Sequence, residues 1–206
     1  MGKATRSVSL RVWVPQGARL VSVRQVAPTI EDLTARGTER DPLTRDFPTG
    51  SWGAEARDYH ICVSVTPREV GAEMLAARVS LMEEDEVLGS PGRVRAIWTD
   101  DQALSTRISR EVAHYTGQAE LAECIQEGLE ARRTGDLPTA TGKLGRAVQL
   151  AIAGGNEGTM KLLAAVVDVD DAASGTVRLR GQVEDADEMA LDTRSTKTVR
   201  VVGPAS

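Results

Sequence analysis

The 206-residue chain is 41% hydrophobic and 27% charged, the make-up of a soluble globular protein with room for one large domain or two small ones. Aromatic residues are only 3%, which argues against carbohydrate binding and base stacking, both of which lean on exposed rings. Residues 1–99 carry 13 basic and 13 acidic side chains, so the net charge of −5 lies in the carboxyl half and offers nucleic acid no basic face.

The first half alternates with period two. Val8, Leu10, Val12 and Val14 face one way and Ser9, Arg11 and Trp13 the other, which predicts a strand over residues 7–14 with one buried face. Pro15-Gln16-Gly17 signals a turn, and Leu20 to Val26 reads as a second strand ended by Pro28. Residues 29–57, with Pro42, Pro48 and Gly50 among scattered charges, read as a long covering loop anchored by Phe47 and Trp52. Strands are expected again at Tyr59–Val65, Leu75–Leu81 and Val94–Trp98, with Glu83-Glu84-Asp85-Glu86 as an exposed hairpin tip. Short strands separated by turns, with no helices between them, predict an antiparallel β-sandwich over residues 1–99.

At Thr99 the period becomes 3.6. Thr99-Asp100-Asp101-Gln102 has the form of a capping box, and Leu104, Ile108, Val112, Tyr115, Ala119, Ala122, Ile125 and Leu129 follow at helical spacing. Gly135-Asp136 ends this helix and opens a second, with Pro138 in its first turn and Leu144, Ala147, Val148 and Ala151 as its stripe. Gly154-Gly155 stops it; Asn156 caps a third helix whose apolar face is Met160, Leu163, Val166 and Val167. The fold class is therefore α+β: a sandwich, a three-helix hairpin domain over 100–173, and an extended tail over 174–206 that returns to the sheet.

Among candidate sites, His60 and Cys62 lie two apart on one strand face, the arrangement a Cys–His nucleophile would use, but no third orienting group accompanies them. Cys62 then reads as a small packed hydrophobe, and His114 beside Tyr115 as an interhelical hydrogen-bonding residue. Asp168, Asp170 and Asp171 hint at calcium, yet Ala172 and Ala173 stand where a calcium loop needs an oxygen ligand and a glycine. No metal ligand and no cofactor is expected. Cys62 and Cys124 fall in different predicted domains, so a disulfide framework is not expected. No apolar run reaches the roughly 18–20 residues that cross a bilayer, and Met1–Arg6 lacks the apolar core of a signal peptide. A reduced, cytoplasmic setting follows.

The tail is the stretch that reads as functional. Leu191, Asp192, Thr193, Arg194, Ser195, Thr196, Lys197 and Thr198 set four hydroxyls among charges, which suits a recognition or phosphorylation segment. The alternation of Thr196, Thr198 and Arg200 with Lys197, Val199 and Val201 equally suits a last strand, and an edge strand can be donated to another chain.

Two resemblances bear on this. Gly128 to Asp136, followed by Ala140, Leu144 and Ala147, looks like a tetratricopeptide-type hairpin, in which small residues let two helices approach closely. Four strings together, Arg11–Gly17, Ile97–Asp101, His114–Leu121 and Leu191–Arg200, are similar to the region that follows the von Willebrand factor A domain in actinobacterial proteins of that family. The resemblance implies an accessory sandwich and helical appendage to a metal-dependent adhesion domain. No aspartate here begins the Asp-x-Ser-x-Ser motif of that domain's metal site, so the chain reads as the accessory half alone. The function this implies is a non-catalytic interaction or scaffold module with a protein partner, such as a von Willebrand factor A-domain chain, and self-association by strand exchange. The alternative is a hydrolase or transferase using His60 and Cys62.

Overall fold

The computed structural model describes residues 5–105 and 108–198. The chain divides into two compact units, one formed by the chain up to Gln25 together with Glu31–Arg107, the other by Val26–Ile30 and the chain from Ile108.

The first unit is a sandwich of two antiparallel sheets. Strands β1 (Thr5–Trp13), β2 (Ala18–Ala27), β3 (Glu31–Asp32), β4 (Thr38–Asp41), β5 (Thr44–Trp52), β6 (Asp58–Val65), β7 (Glu73–Glu83) and β8 (Glu86–Ile97) form a five-stranded sheet, β4-β5-β1-β7-β8, and a three-stranded one, β3-β2-β6. The expected alternation of β1 holds: Leu10 and Val12 are buried with Phe47 of one sheet and Val23 and Leu33 of the other, and Tyr59, Ile61, Val79 and Leu81 close around them. Period-two burial of β-branched and aliphatic side chains drives this pairing of sheets, because a one-residue slip would turn every apolar side chain to water.

The expected loop at 29–57 is instead largely strand. Its last part, β5, pairs with the whole of β1, Leu10 opposite Phe47 and Arg11 opposite Asp46. Pro48 hid this because proline removes a ladder donor, and the pairing accommodates it at a register shift between Val8 and Ser9, where the Thr49 hydroxyl donates to the Val8 carbonyl at 2.8 Å. The turn at Glu84-Asp85 joins β7 to β8 where the acidic tip was expected, with Glu84 at φ +53°.

The second unit holds helices α2 (Arg110–Thr134), α3 (Leu137–Ala153) and α4 (Glu157–Val166), the hairpin β9 (Val167–Asp171) and β10 (Thr176–Leu179), and helix α5 (Asp185–Ser195). The helix expected from Thr99 is interrupted. A short α1 (Gln102–Ser105) is capped by Asp101, which accepts from the Ala103 amide at 2.8 Å, and α2 starts afresh with the Ser109 hydroxyl accepting from Val112. The Thr99 hydroxyl serves the Asp101 amide instead of Gln102. Leu104, Ile108 and Val112 are consequently exposed rather than packed. Gly117 does not split α2, which runs unbroken to a left-handed Gly135 at φ +83°. The carboxylates and amides expected as caps do cap: Asp136 accepts from the Thr139 amide and Asn156 from the Thr159 amide, both at 3.2 Å.

The core of this unit combines Leu121, Ile125 and Leu129 of α2 with Leu144 and Val148 of α3, Leu163 and Val166 of α4, Val177 of β10 and Leu191 of α5. Residues 174–206 are therefore not an extended tail over their described part. α5 is a helix because Asp185, Asp187 and Glu188 lie in its first turn and Arg194 in its last, the charge order its dipole favours. The turn that leads into β10 lies so close to α3 that a methyl group on Gly145 would stand 2.2 Å from the Gly175 carbonyl oxygen.

Candidate functional site

The stretch from Leu191 to Thr198 lies partly in α5 and partly just beyond it. Leu191 is fully buried, Ser195 is 3% exposed, and the Ser195 hydroxyl donates to the Asp192 carbonyl at 2.7 Å. The Thr196 hydroxyl donates to Thr193, and the Thr198 hydroxyl to the Val26 carbonyl. Beyond the helix the backbone returns to the segment after β2: Ile30 donates to the Thr196 carbonyl at 2.7 Å, Thr198 donates to the Pro28 carbonyl at 3.0 Å, and Lys197 bridges Thr29. In place of the expected return to the sheet, the tail's described residues meet residues 28–30, outside the named strands, through an isolated bridge. Val199, Arg200 and Val201 lie outside the described residues. Of the eight side chains, Asp192, Thr193 and Lys197 are exposed; Arg194, Thr196 and Thr198 are half-buried.

Two contacts tie α5 to the helices and hairpin. Arg132 of α2 lies 3.0 Å from the Glu188 carboxylate, with only 15% and 20% of the two side chains exposed, and its other terminal nitrogen donates to the Arg180 carbonyl at 3.2 Å. The aspartates that hinted at calcium are engaged elsewhere: Asp170 pairs with Arg178 at 2.8 Å, Asp168 with Arg180 at 3.0 Å, and Asp171 accepts from the Ala173 amide and the Ser174 hydroxyl. They belong to the β9–β10 hairpin. Among the described residues no three His, Cys, Asp or Glu side chains gather as a metal site would require.

On β6, His60 and Cys62 share the face opposite Tyr59 and Ile61. Cys62 is exposed, against the expectation of a packed thiol, while Cys124 is buried; both are free. Burial holds His60 below its ordinary value of 6.5, and Arg24 adds to the effect.

Sequence reading passed over the outer face of the five-stranded sheet. On β1 and β7 the face opposite Leu10, Val12, Val79 and Leu81 carries Ser9, Arg11 and Trp13, and Arg78, Ser80 and Met82, of which Met82 is only 1% exposed. The register sets Thr44, Trp13, Arg78 and Arg93 in one row across four strands. Arg11 grips Asp46 through two bonds of 2.8 and 2.9 Å, and Arg40 reaches the same carboxylate at 2.8 Å and Asp85 besides. The Arg11 guanidinium holds the Asp46 carboxyl below its ordinary value of 3.8, against the opposing push of burial.

These four charges satisfy one another. Arg78 and Arg93 stand apart from them: they lie directly opposite each other on β7 and β8, and neither has an acidic partner among the described residues. Arg78 covers the Trp13 ring at 5.3 Å. Arg95, two residues on, makes a loose 3.6 Å contact with Glu73. Two shallow grooves flank this row. One of about 580 Å³ is lined by Arg11, Trp13, Arg40 and Met82, the other of about 540 Å³ by Met74, Arg93 and Arg95, and Arg78 and Pro91 line both. The signal for this face was present in the sequence as Arg93 and Arg95 at alternate positions of β8, with the single Arg78 on the neighbouring β7.

Residues 149–195 match the family model for the von Willebrand factor type A C-terminal domain. That span covers the end of α3, α4, the β9–β10 hairpin and α5. Over 98% of its length the chain is 51% identical to a solved structure, a von Willebrand factor type A protein from Catenulispora acidiphila, with a TM-score of 0.87; the match covers 48% of that protein. The chain thus spans about half the length of that relative. No curated protein matches it. It carries a region associated with von Willebrand factor type A proteins, and no helix among the described residues is long and apolar enough to cross a membrane.

Proposed function

We propose that the chain is a non-catalytic protein-interaction module of the kind that accompanies von Willebrand factor type A domains. The observation that carries this reading is the 51% identity to one half of the Catenulispora protein, sustained across both units of this chain. At that identity the two share architecture in detail, and a partner surface is the natural role for a segment linked to an adhesion-type domain. The face that serves it is the outer surface of the five-stranded sheet, where two shallow grooves and an exposed arginine row offer broad contact. The partner we propose is a protein that meets this arginine-bearing face; the net charge of −5 lies in residues 100–206 and does not decide the chemistry of the face. The two free thiols, one of them exposed, support a reduced, cytoplasmic setting.

The test uses the half of the Catenulispora protein that this chain does not match, purified by itself and titrated with this chain by calorimetry. A saturable one-to-one complex is expected. Heat no different from dilution at 100-micromolar concentrations, roughly the weak end of specific association, would overturn the proposal.

A further inference from the structure

We infer that the row of Arg93 and Arg95 on β8, with Arg78 behind it, recognises an acidic extended polypeptide that adds as a new strand to the open edge of the five-stranded sheet. The inference rests on the interaction-module reading above and names the chemistry of the partner.

The edge is open because β8 is the last strand in the order β4-β5-β1-β7-β8. Its two halves differ. Between Leu88 and Gly92 the register breaks, and Gly89 to Pro91 lie in the break, which blunts that half against pairing. From Gly92 to Ile97 the strand pairs with β7, contains no proline, and among the described residues has no strand on its outer side. A sheet edge of this kind binds extended peptides through main-chain bonds, and alternate side chains set its specificity.

Both faces of that edge specify the guest. On the outer face, Arg93 and Arg95 project beside Arg78, and Arg78 sits directly across from Arg93. Like charges opposite each other across two strands are destabilising, so the row carries an electrostatic cost that an incoming anion relieves. On the inner face Val94 pairs with the fully buried Ala77, yet 39% of Val94 remains exposed. A strand alternating acidic with aliphatic residues would set carboxylates over Arg93 and Arg95 and cover Val94 from the other side. A second copy of β8 would instead bring arginine against arginine, so the same charges that attract an acidic strand discourage self-pairing at this edge.

The experiment measures fluorescence anisotropy of a labelled eight-residue peptide, alternating Glu and Val, against the full chain. Saturable binding is expected, weakened at least tenfold by Arg93→Glu. That variant places an acid opposite Arg78, so its melting temperature should hold or rise, which separates lost recognition from lost folding. Methylating alternate peptide nitrogens on the edge-facing side should also abolish binding, since strand addition needs those donors. Unchanged affinity for Arg93→Glu, equal binding of the methylated peptide, or tighter binding of single-stranded DNA would each overturn the inference. If the Glu-Val peptide binds as described but the Catenulispora half does not, the von Willebrand factor association fails while the edge site stands.

Discussion

Replacing Leu191 by Ala probes whether the carboxyl-terminal stretch is a free recognition segment or part of the core. Leu191 is fully buried, packed in the cluster that unites α2, α3, α4 and β10. The change deletes three carbon atoms, worth about 2.4 kcal/mol at roughly 0.8 kcal/mol for each buried methylene. The cavity left among Leu129, Leu163 and their neighbours adds to this, and Leu→Ala at well-packed sites totals about 3–5 kcal/mol. For a unit of roughly 100 residues, each kcal/mol moves the melting temperature by about 4–8 °C, so a drop beyond about 10 °C is expected. Differential scanning calorimetry of the full chain reads this directly, and the transition that moves should be the one belonging to the helical unit. A shift below about 3 °C would refute the reasoning: α5 would then be undocked in solution, and Leu191 to Thr198 would be available to a partner after all.

Three further outcomes follow from named contacts. Titration with a thiol reagent should modify Cys62 at once and Cys124 only on unfolding, because burial both shields Cys124 and pushes its thiol up from 9.0; two fast thiols would contradict the burial of α2. Gly145→Ala should destabilise the helical unit by about 2 kcal/mol or more in a urea melt, since the added methyl group meets backbone and not a movable side chain; a neutral result would place β10 farther from α3. Asp46 is held below 3.8 by Arg11, so it contributes stability above that pH and loses it as pH falls through its lowered value; Asp46→Asn should remove that part of the acid-side slope in a pH-dependent denaturation series, and an unchanged slope would refute the pairing.

Where side-chain periodicity was decisive, the sequence was readable. The alternation of Val8 to Val14 and the steps from Ala122 to Leu129 each placed an element and its buried face, because burial of one face is what makes those segments fold as they do. Capping signals worked where they were local and unopposed, as at Asp136 and Asn156. They failed at Thr99, where Asp101 two residues on competes for the same amides and Ser109 offers a second start. β5 was missed because Pro48 and Gly50 are read as breakers, and only the partner strand reveals the Thr49 hydroxyl that makes good the ladder. Nothing local to the acidic run at 184–188 announces that Glu188 meets Arg132, 56 residues earlier in the chain. The arginine face failed to stand out for a similar reason. Arg78 and Arg93 become a pair of facing charges only once the β7–β8 register is known.

Residues Val26–Ile30 leave the sandwich, take their place with the helical unit, and hand the chain back. The Thr198 that closes on Val26 is synthesised 172 residues after it. At about 5–20 residues per second the ribosome needs roughly ten to thirty seconds to deliver it. The helical unit therefore cannot be finished until residue 198 has been made, whichever helices form first. The same interleaving means that a genetic cut before Ile108 transfers a body that lacks Val26–Ile30, so the two units are expected to travel through evolution together rather than as exchangeable cassettes.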